Sequence, residues 1–569
     1  MESFLICGGM VVDGTGSPAR GSDVRIRDGR ITEIGPRLRR ENERVVDAAG
    51  AFVAPGFIDS HTHFDASLYW DPLCDPVALH GITTVLIGNC SLGLAPARAY
   101  ERKTIADMLS YIEDIPSELI VSSVPWNWET YDEYAAVLTA MKLGVNVISL
   151  VGHSVLRNHV MGEAAWERVA TEEEAALMAR TLQQALAAGA RGLSCSLFDK
   201  DRHGRRVPSF FADDAELELL FEALGAHGGV FQFQARTSEL GKKCEDLQRV
   251  ATMARRQGTA VLDNGVAHLP HEPEWGTAVL DFVGNLQQQG ARIYSMLSPN
   301  SIELAINFDQ TNCFISIPAW NEFIQTPTES KRSLLTNAQW RERARSDFDS
   351  CADTLMFPTN RLHDIRVIGV GRPELSDWIG RSLQDLVNER HGHPSDVMAD
   401  WVLDNDLKPR FANPLTNRDP SAVAPLMKRP GALLSGSDAG AHLQMFCGVG
   451  DTTLMLTRYV RERRDFTVEE MIYQLTARQA DVLGLSDRGR LAPGLRADVT
   501  VFDLAELRYE SVKLVDDYPG GASRFRRPPG GYRHTMINGA LVQESGRYLG
   551  VLPGQYAMTR RPGQLGTKR

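Results

Sequence analysis

Two histidines end an apolar segment near the start of the chain, and their spacing is typical of a metal site. Residues 51–63 turn through a Pro-Gly corner into a predicted strand that ends on His61 and His63. Because side chains two positions apart on a strand point to the same side, both imidazoles leave the strand together. The alternative is a pair of solvated histidines in a surface turn, which the apolar Phe57 and Ile58 argue against. We therefore predict that His61 and His63 bind one metal ion.

An aspartate and a cysteine later in the chain are candidates for the remaining ligands. Asp438 ends an apolar run between small residues, which would let its carboxylate approach a metal closely; the alternative is an Asx turn or a helix cap. Cys90 follows the apolar run 84–87. Its thiolate would be a strong zinc ligand, although a buried cysteine also serves as a small apolar residue. His442 lies four residues after Asp438 and either supports that carboxylate or is exposed to solvent.

Three further residues near predicted strand ends are candidates for binding substrate or for orienting a ligand. His153 is a candidate ligand or a partner that orients one, with a histidine satisfied in the core as the alternative. Arg157 and Arg236 are candidates for holding a substrate carboxylate as a bidentate fork, with a surface ion pair as the alternative. We predict that His268 and His271 are loop residues outside the site.

The middle of the chain alternates apolar runs with helical patterns, which predicts an α/β fold. Several runs are nearly continuous, as buried parallel strands are, and helices such as Glu172–Ala188 separate most of them. Eight strands with helical crossovers predict a (β/α)8 TIM-like barrel, whose chemistry gathers at the C-terminal ends of the strands. The alternative, an open doubly wound sheet, is disfavoured because no glycine-rich phosphate loop follows the first strand. The predicted strands are Phe57–His63, Thr83–Cys90, Val145–His153, Ala190–Leu197, Gly229–Ala235, Thr259–Asn264, Ala291–Leu297 and Ala432–Asp438.

Both ends of the chain alternate short β-prone runs with turns, and the C-terminal end carries an Asn-Gly hairpin signal. Neither end is long enough for a stable core alone. We therefore assign residues 1–55 plus 485–569 to one small β-sandwich domain built from both ends. The barrel then occupies residues 56–484. Within it, residues 298–431 are too many for one crossover, and we predict that they form an inserted lid or subdomain.

The composition is typical of a globular protein that acts on a small molecule. Of 569 residues, 43% are hydrophobic and 23% charged, and the formal net charge of −11 argues against nucleic acid and anionic membrane as partners. The acidic N-terminus and the absence of a long apolar window predict neither a signal peptide nor a transmembrane helix. The eight cysteines form no CxxC pair and are predicted to be free thiols. We expect a cytoplasmic protein with a small-molecule substrate, and a homo-oligomer is left open.

Five segments form an ordered set that matches a known family. They are Gly56–His63, Gly88–Cys90, Gly152–Arg157, Gly436–Asp438 and Arg490–Val499. This set resembles the amidohydrolase superfamily and, more closely, its N-acyl-D-amino-acid deacylase (D-aminoacylase) branch, nearly from end to end. The resemblance implies a metal-dependent barrel with a small β domain. It also implies that His61, His63 and Asp438 hold zinc with Cys90 as a further ligand; one ion is expected, and a second is left open.

The chain departs from the pattern of that branch at two strand ends. The branch has a histidine at the end of the fifth strand, where this chain has Gln234, and another near the end of the sixth, where it has Asn264. Amide oxygens are poor zinc ligands compared with imidazole. A basic residue expected shortly after the second histidine is also absent, with Val266 near its place. The resemblance therefore implies a divergent subgroup that keeps the scaffold and the metal of the first strand.

These residues predict a zinc-dependent hydrolase that cleaves a C–N amide bond of an N-acyl (D-)amino acid or a related amide. Zinc lowers the pKa of a bound water to about 7, and Asp438 would take its proton and deliver it to the leaving amine. Gln234, Asn264 or His153 would hold the developing oxyanion. One alternative is a cyclic amide, a lactone or an activated C–C bond as substrate. Another is a barrel that has lost catalysis and binds a ligand.

Overall fold

Strands occupy both ends of the chain and recur through its middle. The structure is a computed structural model that describes residues 2–236, 239–351, 355–434 and 436–557. The strands in chain order are β1 (Phe4–Val11), β2 (Arg20–Arg27), β3 (Arg30–Gly35), β4 (Arg44–Asp47), β5 (Phe52–Pro55), β6 (Phe57–Asp59), β7 (Ile82–Ile87), β8 (Asn146–Gly152), β9 (Gly192–Ser196), β10 (Val230–Gln234), β11 (Ala260–Asn264), β12 (Arg292–Met296), β13 (Glu303–Ile306), β14 (Arg366–Gly369), β15 (Arg410–Pro414), β16 (Ala432–Leu433), β17 (Val499–Phe502), β18 (Lys513–Val515), β19 (Arg524–Arg526), β20 (His534–Ile537), β21 (Ala540–Glu544) and β22 (Arg547–Tyr548).

Helices separate most of these strands, and their ends follow capping signals in the sequence. The Glu174 N–H donates to Thr171 Oγ1 at 3.2 Å, and the Thr171 N–H donates to Glu174 Oε2 at 2.8 Å, which forms a capping box. None of the described helices combines the length and hydropathy that a bilayer span requires. The helices are α1 (Arg102–Glu113), α2 (Ser117–Ser123), α3 (Tyr131–Ala140), α4 (His153–Met161), α5 (Glu172–Ala187), α6 (Asp214–His227), α7 (Leu240–Gln257), α8 (Trp275–Gln288), α9 (Pro318–Gln325), α10 (Thr328–Thr336), α11 (Ala338–Ser350), α12 (Leu383–Arg390), α13 (Pro394–Asp404), α14 (Pro420–Met427), α15 (Asp451–Leu454), α16 (Val468–Leu475) and α17 (Ala477–Leu483).

Eight strands form one parallel sheet in the order β16-β12-β11-β10-β9-β8-β7-β6. Neighbours in space follow the chain order from β6 to β12 and do not reverse at a switch point, as they would in a doubly wound sheet. The segments that follow the two outer strands are hydrogen bonded to each other. The Asp438 N–H donates to the His61 carbonyl at 3.0 Å, and the His63 N–H donates to the Ala439 carbonyl at 2.7 Å. The parallel sheet is therefore curled until its first and last strands meet.

The strands that lead to the metal-site candidates are shorter than the sequence predicts. β6 ends before His61 and His63, and β16 ends before Asp438, so all three residues lie in segments that follow strands. The His61 N–H donates to the Asp59 carboxylate at 3.2 Å, and the Thr62 N–H donates to the Leu86 carbonyl of β7 at 3.1 Å. Cys90 lies beyond β7 with φ +54°, a left-handed conformation far from the extended backbone of β7. These residues leave the sheet so that their side chains can turn toward one point.

Strands from both chain ends form one continuous nine-stranded sheet, in the order β22-β21-β20-β17-β5-β1-β2-β3 with β4 beside β1. β17 pairs with β5 on one side and with β20 on the other, so hydrogen bonds join the two ends directly. β1 pairs with β4 and then with β5 along one edge. This sheet contains strands from both parts of the predicted small β domain. Residues 558–569 of the predicted domain lie outside the described residues.

The segment between β12 and β16 contains a second hydrophobic core. A three-stranded antiparallel sheet, in the order β13-β15-β14, packs with helices α9 to α13 around it. α14 differs, because its apolar side chains pack into the main core instead. The separately packed part therefore ends near β15, earlier than the predicted boundary at residue 431. The largest fully buried side chains of this core are Trp320, Trp340 and Trp401.

The inserted segment contacts two elements that lead to the predicted site. Asn312 Nδ2 donates to the Ile112 carbonyl at 3.3 Å, which attaches the insertion to the end of α1. Asn321 Nδ2 donates to the Arg202 carbonyl at 3.0 Å, which attaches it to the loop that follows β9. The insertion therefore supports two loops at the C-terminal edge of the parallel sheet.

Candidate metal centre

Four potential ligand atoms from three segments of the chain lie close together. His61 Nε2 and His63 Nε2 are 3.2 Å apart. Asp438 Oδ1 lies 3.5 Å from His61 Nε2 and 3.1 Å from His63 Nε2, and Cys90 Sγ lies 3.5 Å from His61 Nε2. Tetrahedral ligands at zinc bond lengths of about 2.0–2.3 Å are separated by about 3.3–3.8 Å. The ligand atoms of His61, His63 and Cys90 all lie within 4.8 Å of one another, and Asp438 Oδ1 lies beside both histidines. This donor set fits one divalent ion.

Small residues and a buried carboxylate bring the closing segment up to the histidines. A Cβ on Gly440 would lie 2.9 Å from the carbonyl carbon and oxygen of His63, and its φ of +88° also favours glycine. Asp438 has φ +58°, which aspartate and asparagine adopt more readily than most residues. The Asp59 carboxylate accepts hydrogen bonds from the Ser437 N–H at 3.2 Å and from its hydroxyl at 2.5 Å. Asp59 thereby fixes the segment that carries Asp438 against β6.

Side-chain amides surround Cys90 and hold it in its left-handed conformation. The Cys90 N–H donates to Gln232 Oε1 at 2.8 Å, so this amide replaces a strand partner. Asn264 Nδ2 lies 3.6 Å from Cys90 Sγ, which brings the replaced residue of the sixth strand into contact with the cluster. Burial raises the pKa of the Cys90 thiol to about 12. A cation is therefore needed to hold this sulfur as a thiolate at neutral pH.

Gln234 ends β10, and His442 lies at the edge of the cluster. Gln234 Oε1 lies 3.4 Å from Ser196 Oγ, which brings the ends of β9 and β10 together. His442 Nε2 lies 3.9 Å from Asp438 Oδ2, on the side of the carboxylate away from His63. His442 is therefore close enough to Asp438 for electrostatic support, and its side chain remains 20% exposed.

Two carboxylates that were not among the predicted site residues lie beside the cluster. Glu113 ends α1, and its Oε1 lies 3.1 Å from His63 Nδ1, with both side chains only 2% exposed. Asp199 follows β9, where Ser196 Oγ donates to its Oδ2 at 2.7 Å. Asp199 follows the end of a strand, and this position could have identified it as a candidate site residue. Glu113 offered no such signal, because it ends a helix outside the strand series.

The charges around the histidines favour a cation. Burial raises the pKa of Glu113 to about 8 and that of Asp199 to about 6, and it lowers the pKa of His61 to about 3. Burial also opposes the charged form of His63, but the charge of Glu113 and the hydrogen bond with Asp438 outweigh it and raise the pKa of His63. Burial opposes the charged form of Asp438, yet its hydrogen bond with His63 and the nearby imidazoles lower its pKa. A divalent ion bound among these groups would favour the ionised forms of the carboxyl groups.

His153 and Arg157 belong to a fully buried ion-pair cluster. His153 Nε2 lies 2.6 Å from Glu216 Oε1, Arg157 Nη1 contacts Glu216 Oε2, and Arg157 Nη2 donates to the Arg168 carbonyl at 2.8 Å. This corrects the predicted substrate role of Arg157, because its guanidinium already binds a carboxylate inside the protein and is 0% exposed. His153 Nε2 is likewise occupied by Glu216 and is not among the four converging atoms.

Arg236 forms an ion pair within the protein, and His268 and His271 lie in a loop. Arg236 Nη2 lies 2.7 Å from Asp246 Oδ1, and Arg236 Nε lies 2.9 Å from Asp246 Oδ2, so the ion-pair alternative describes its present contacts. His268 and His271 lie in the loop after β11, as predicted. The structure therefore brings together His61, His63, Cys90 and Asp438, with Asn264 and His442 at their border, and Gln234 lies at the end of the neighbouring β10.

The chain is similar to curated amidohydrolases over nearly its whole length. The model of the amidohydrolase family matches residues 44–283 and 387–543. An uncharacterised protein of Mycobacterium tuberculosis is 31% identical, over 98% of this chain and 95% of its own. The N-acyl-D-glutamate deacylase of Alcaligenes xylosoxydans xylosoxydans is 29% identical, over 95% and 93%.

Solved structures of deacylases share the fold. A D-aminoacylase studied for its binuclear metal centre superimposes with a TM-score of 0.67 at 23% identity, and the match covers 97% of this chain and 99% of that one. The N-acyl-D-glutamate deacylase of Bordetella bronchiseptica, solved with zinc and a phosphonate inhibitor, gives a TM-score of 0.66 at 25% identity, over 98% and 99%.

Proposed function

The chain belongs to the amidohydrolase family, in its D-aminoacylase-like branch, and on that premise we propose that it hydrolyses the C–N amide bond of an N-acyl-D-amino acid or a related amide. The similarity to N-acyl-D-glutamate deacylase and D-aminoacylase over most of the chain supports this substrate class. The observation that carries the proposal is the position of Asp438 Oδ1, 3.5 Å from His61 Nε2 and 3.1 Å from His63 Nε2.

The residues that would hold the metal are His61, His63, Cys90 and Asp438, and we expect one zinc ion. When bound, the ion supplies Lewis-acid chemistry that polarises a carbonyl and acidifies a water. Gln234 and Asn264 disfavour a strongly held second ion, since amides bind zinc poorly compared with imidazoles. Both amides can instead donate hydrogen bonds to the carbonyl oxygen of the substrate as negative charge develops on it.

Asp438 would move the proton in this reaction. Its side chain is 31% exposed, whereas those of both histidines are 2% exposed, so substrate can reach the carboxylate. Water attacks the carbonyl carbon, and Asp438 takes the proton that the water loses. The C–N bond then breaks, and Asp438 returns that proton to the departing nitrogen. His442, 3.9 Å from Asp438 Oδ2, would steady the carboxylate electrostatically during this transfer.

The test measures turnover of a panel of substrates by the purified full-length protein. The protein would be used in two states, loaded with zinc and treated with a chelator. N-acetyl-D-methionine, N-acetyl-D-glutamate and their L-enantiomers would be compared by release of the free amine. We expect zinc-dependent release from at least one D-substrate. Absence of release from every acyl amino acid would overturn the proposed substrate class.

Gln234 and Asn264 also favour a second candidate, hydrolysis of a cyclic amide, a lactone or an activated C–C bond on the same site. Gln234 and Asn264 stand at strand ends where the D-aminoacylase branch has histidines, and this change would alter which substrate carbonyl the site can bind. The same panel extended to dihydrouracil, γ-butyrolactone and a β-diketone separates the two candidates. If no compound is turned over and no metal is retained, a ligand-binding role replaces both.

A further inference from the structure

Two cations stand side by side on the loop that follows β9. Lys200 and Arg206 form an isolated antiparallel bridge, so their side chains lie on one face of a short hairpin. Like charges opposite each other on paired strands are destabilising unless something compensates them. Arg206 Nη1 donates to the Phe198 carbonyl at 2.8 Å, and its guanidinium carbon lies 4.9 Å from the centre of the Phe210 ring. These contacts orient the guanidinium, and none of them supplies a carboxylate partner.

Other arginines of this region have carboxylate partners, and these two cations do not. Arg205, next to Arg206, lies 2.8 Å from Asp201 Oδ2, and Arg236 binds Asp246 with two hydrogen bonds. Among the described residues, no carboxylate oxygen lies within 4.0 Å of the Lys200 ammonium or the Arg206 guanidinium.

Burial and neighbouring cations act on the same pair. Burial, followed by the charge of Arg206, lowers the pKa of Lys200. Burial likewise lowers the pKa of Arg206; the charge of Asp199 opposes this effect and that of Arg236 adds to it. Both side chains are half-buried, so water compensates their charges only in part. An anion placed between them would remove this unfavourable interaction.

The hairpin that carries this pair begins next to the metal cluster. Their hairpin begins at Asp199, whose carboxylate accepts a hydrogen bond from Ser196 at the end of β9. The charges of His63, Asp438 and Arg206 all act on the pKa of Asp199. On the other side, the Arg202 carbonyl accepts a hydrogen bond from Asn321 of the insertion. The hairpin that carries the two cations is therefore connected to the cluster through Asp199 and to the insertion through Arg202.

We propose that Lys200 and Arg206 form a binding subsite for a carboxylate group of the substrate. A guanidinium binds a carboxylate through two parallel hydrogen bonds, and an adjacent ammonium adds a point charge. This proposal rests on the proposed function and adds to it that the substrate carries a carboxylate, which the hairpin after β9 recognises.

The test compares two probes that differ only in this charge, N-acetyl-D-methionine and N-acetyl-D-methioninamide. Their KM values would be measured with the zinc-loaded protein. Their affinities would also be measured by calorimetry with chelator-treated full-length protein, after its folding is checked by thermal melting. For the wild type we expect the acid to bind at least about tenfold more tightly than the amide, as hydrogen bonds to a charged group give.

The variants Arg206→Gln and Lys200→Met should each remove most of this preference and leave binding of the amide unchanged. Arg206→Lys, which keeps the charge but not the fork, should retain part of it. Arg205→Gln, on the same hairpin, is the matched control and should behave like the wild type. Equal binding of acid and amide by the wild type, or a preference that survives the double variant, overturns the subsite. Failure to release amine, with the binding preference intact, would overturn only the hydrolase function.

Discussion

His63 Nε2 lies 3.1 Å from Asp438 Oδ1, although the two residues follow the first and the last strand of the parallel sheet. This contact exists only because the sheet is curled and its two ends are hydrogen bonded through residues 61–63 and 438–439. Metal affinity and closure of the sheet are therefore coupled, since an ion bound between these segments would hold them together.

Asp438→Asn should abolish turnover and preserve the fold. Asparagine has the same shape and adopts the left-handed φ of +58° found here, so the backbone suffers no new strain. Without a carboxylate to take the proton, kcat should fall by about 10²- to 10⁴-fold. Steady-state kinetics on zinc-loaded protein, with circular dichroism as the check on folding, measure this. Activity within a few-fold of the wild type would show that another group moves the proton.

Glu113→Gln should weaken metal binding. The Glu113 carboxylate lies 3.1 Å from His63 Nδ1, where its charge would strengthen His63 as a ligand. Loss of such a partner weakens metal affinity by about 10- to 100-fold. Competition with a chromophoric zinc chelator measures the affinity directly. Glu118→Gln, an exposed residue of α2, is the control and should bind zinc as the wild type does. An unchanged affinity in the Glu113 variant would remove this role.

Asp114→Asn should stabilise the protein at neutral pH and have little effect in acid. Burial raises the pKa of Asp114 from 3.8 to about 7, so the folded protein holds a proton that the unfolded chain releases. Wild-type stability therefore falls as pH rises from about 4 to about 7, and asparagine lacks this dependence. The asparagine carbonyl still accepts the Gln444 N–H and suits the φ of +57°. The gain in melting temperature should grow from pH 4.5 to pH 7.5; a gain that stays constant would contradict the assignment.

Glu216→Gln should destabilise the protein without changing substrate affinity. The variant leaves the Arg157 charge buried without its carboxylate, which costs about 3–5 kcal/mol. Denaturant unfolding measures the loss, and Glu218→Gln, which removes only an exposed ion pair with Arg256, should cost at most about 1 kcal/mol. If Arg157 instead held substrate, KM would rise markedly in the folded fraction of an Arg157→Lys variant.

The parallel sheet and the metal-binding residues were largely predictable from the sequence, because both depend on local patterns. Buried parallel strands read as apolar runs, and each of the eight predicted runs overlaps a strand of the sheet. The spacing of His61 and His63 and the small residues around Asp438 are likewise visible in the chain. The strand ends were not predictable, since just beyond β6 the Asp59 side chain accepts the His61 N–H, and a side-chain contact of this kind leaves no pattern in the sequence.

The residues that support the site depend on packing between distant segments, which a single sequence does not reveal. Glu113 reaches His63 because α1 ends beside the cluster, and the insertion holds that helix end through Asn312. Arg157 has the sequence character of a substrate-binding residue, yet Glu216 from a later helix binds it in the interior. In both cases the partner lies on an element whose position is fixed only by the folded core.

The most direct test of the central claim is a crystal structure of the zinc-soaked protein with anomalous data collected at the zinc edge. We expect one strong peak within about 2.5 Å of His61 Nε2, His63 Nε2 and Asp438 Oδ1, with Cys90 Sγ beside it. A zinc peak that does not contact these atoms, or full zinc occupancy elsewhere in a His61→Asn/His63→Asn variant that keeps activity, would contradict the account.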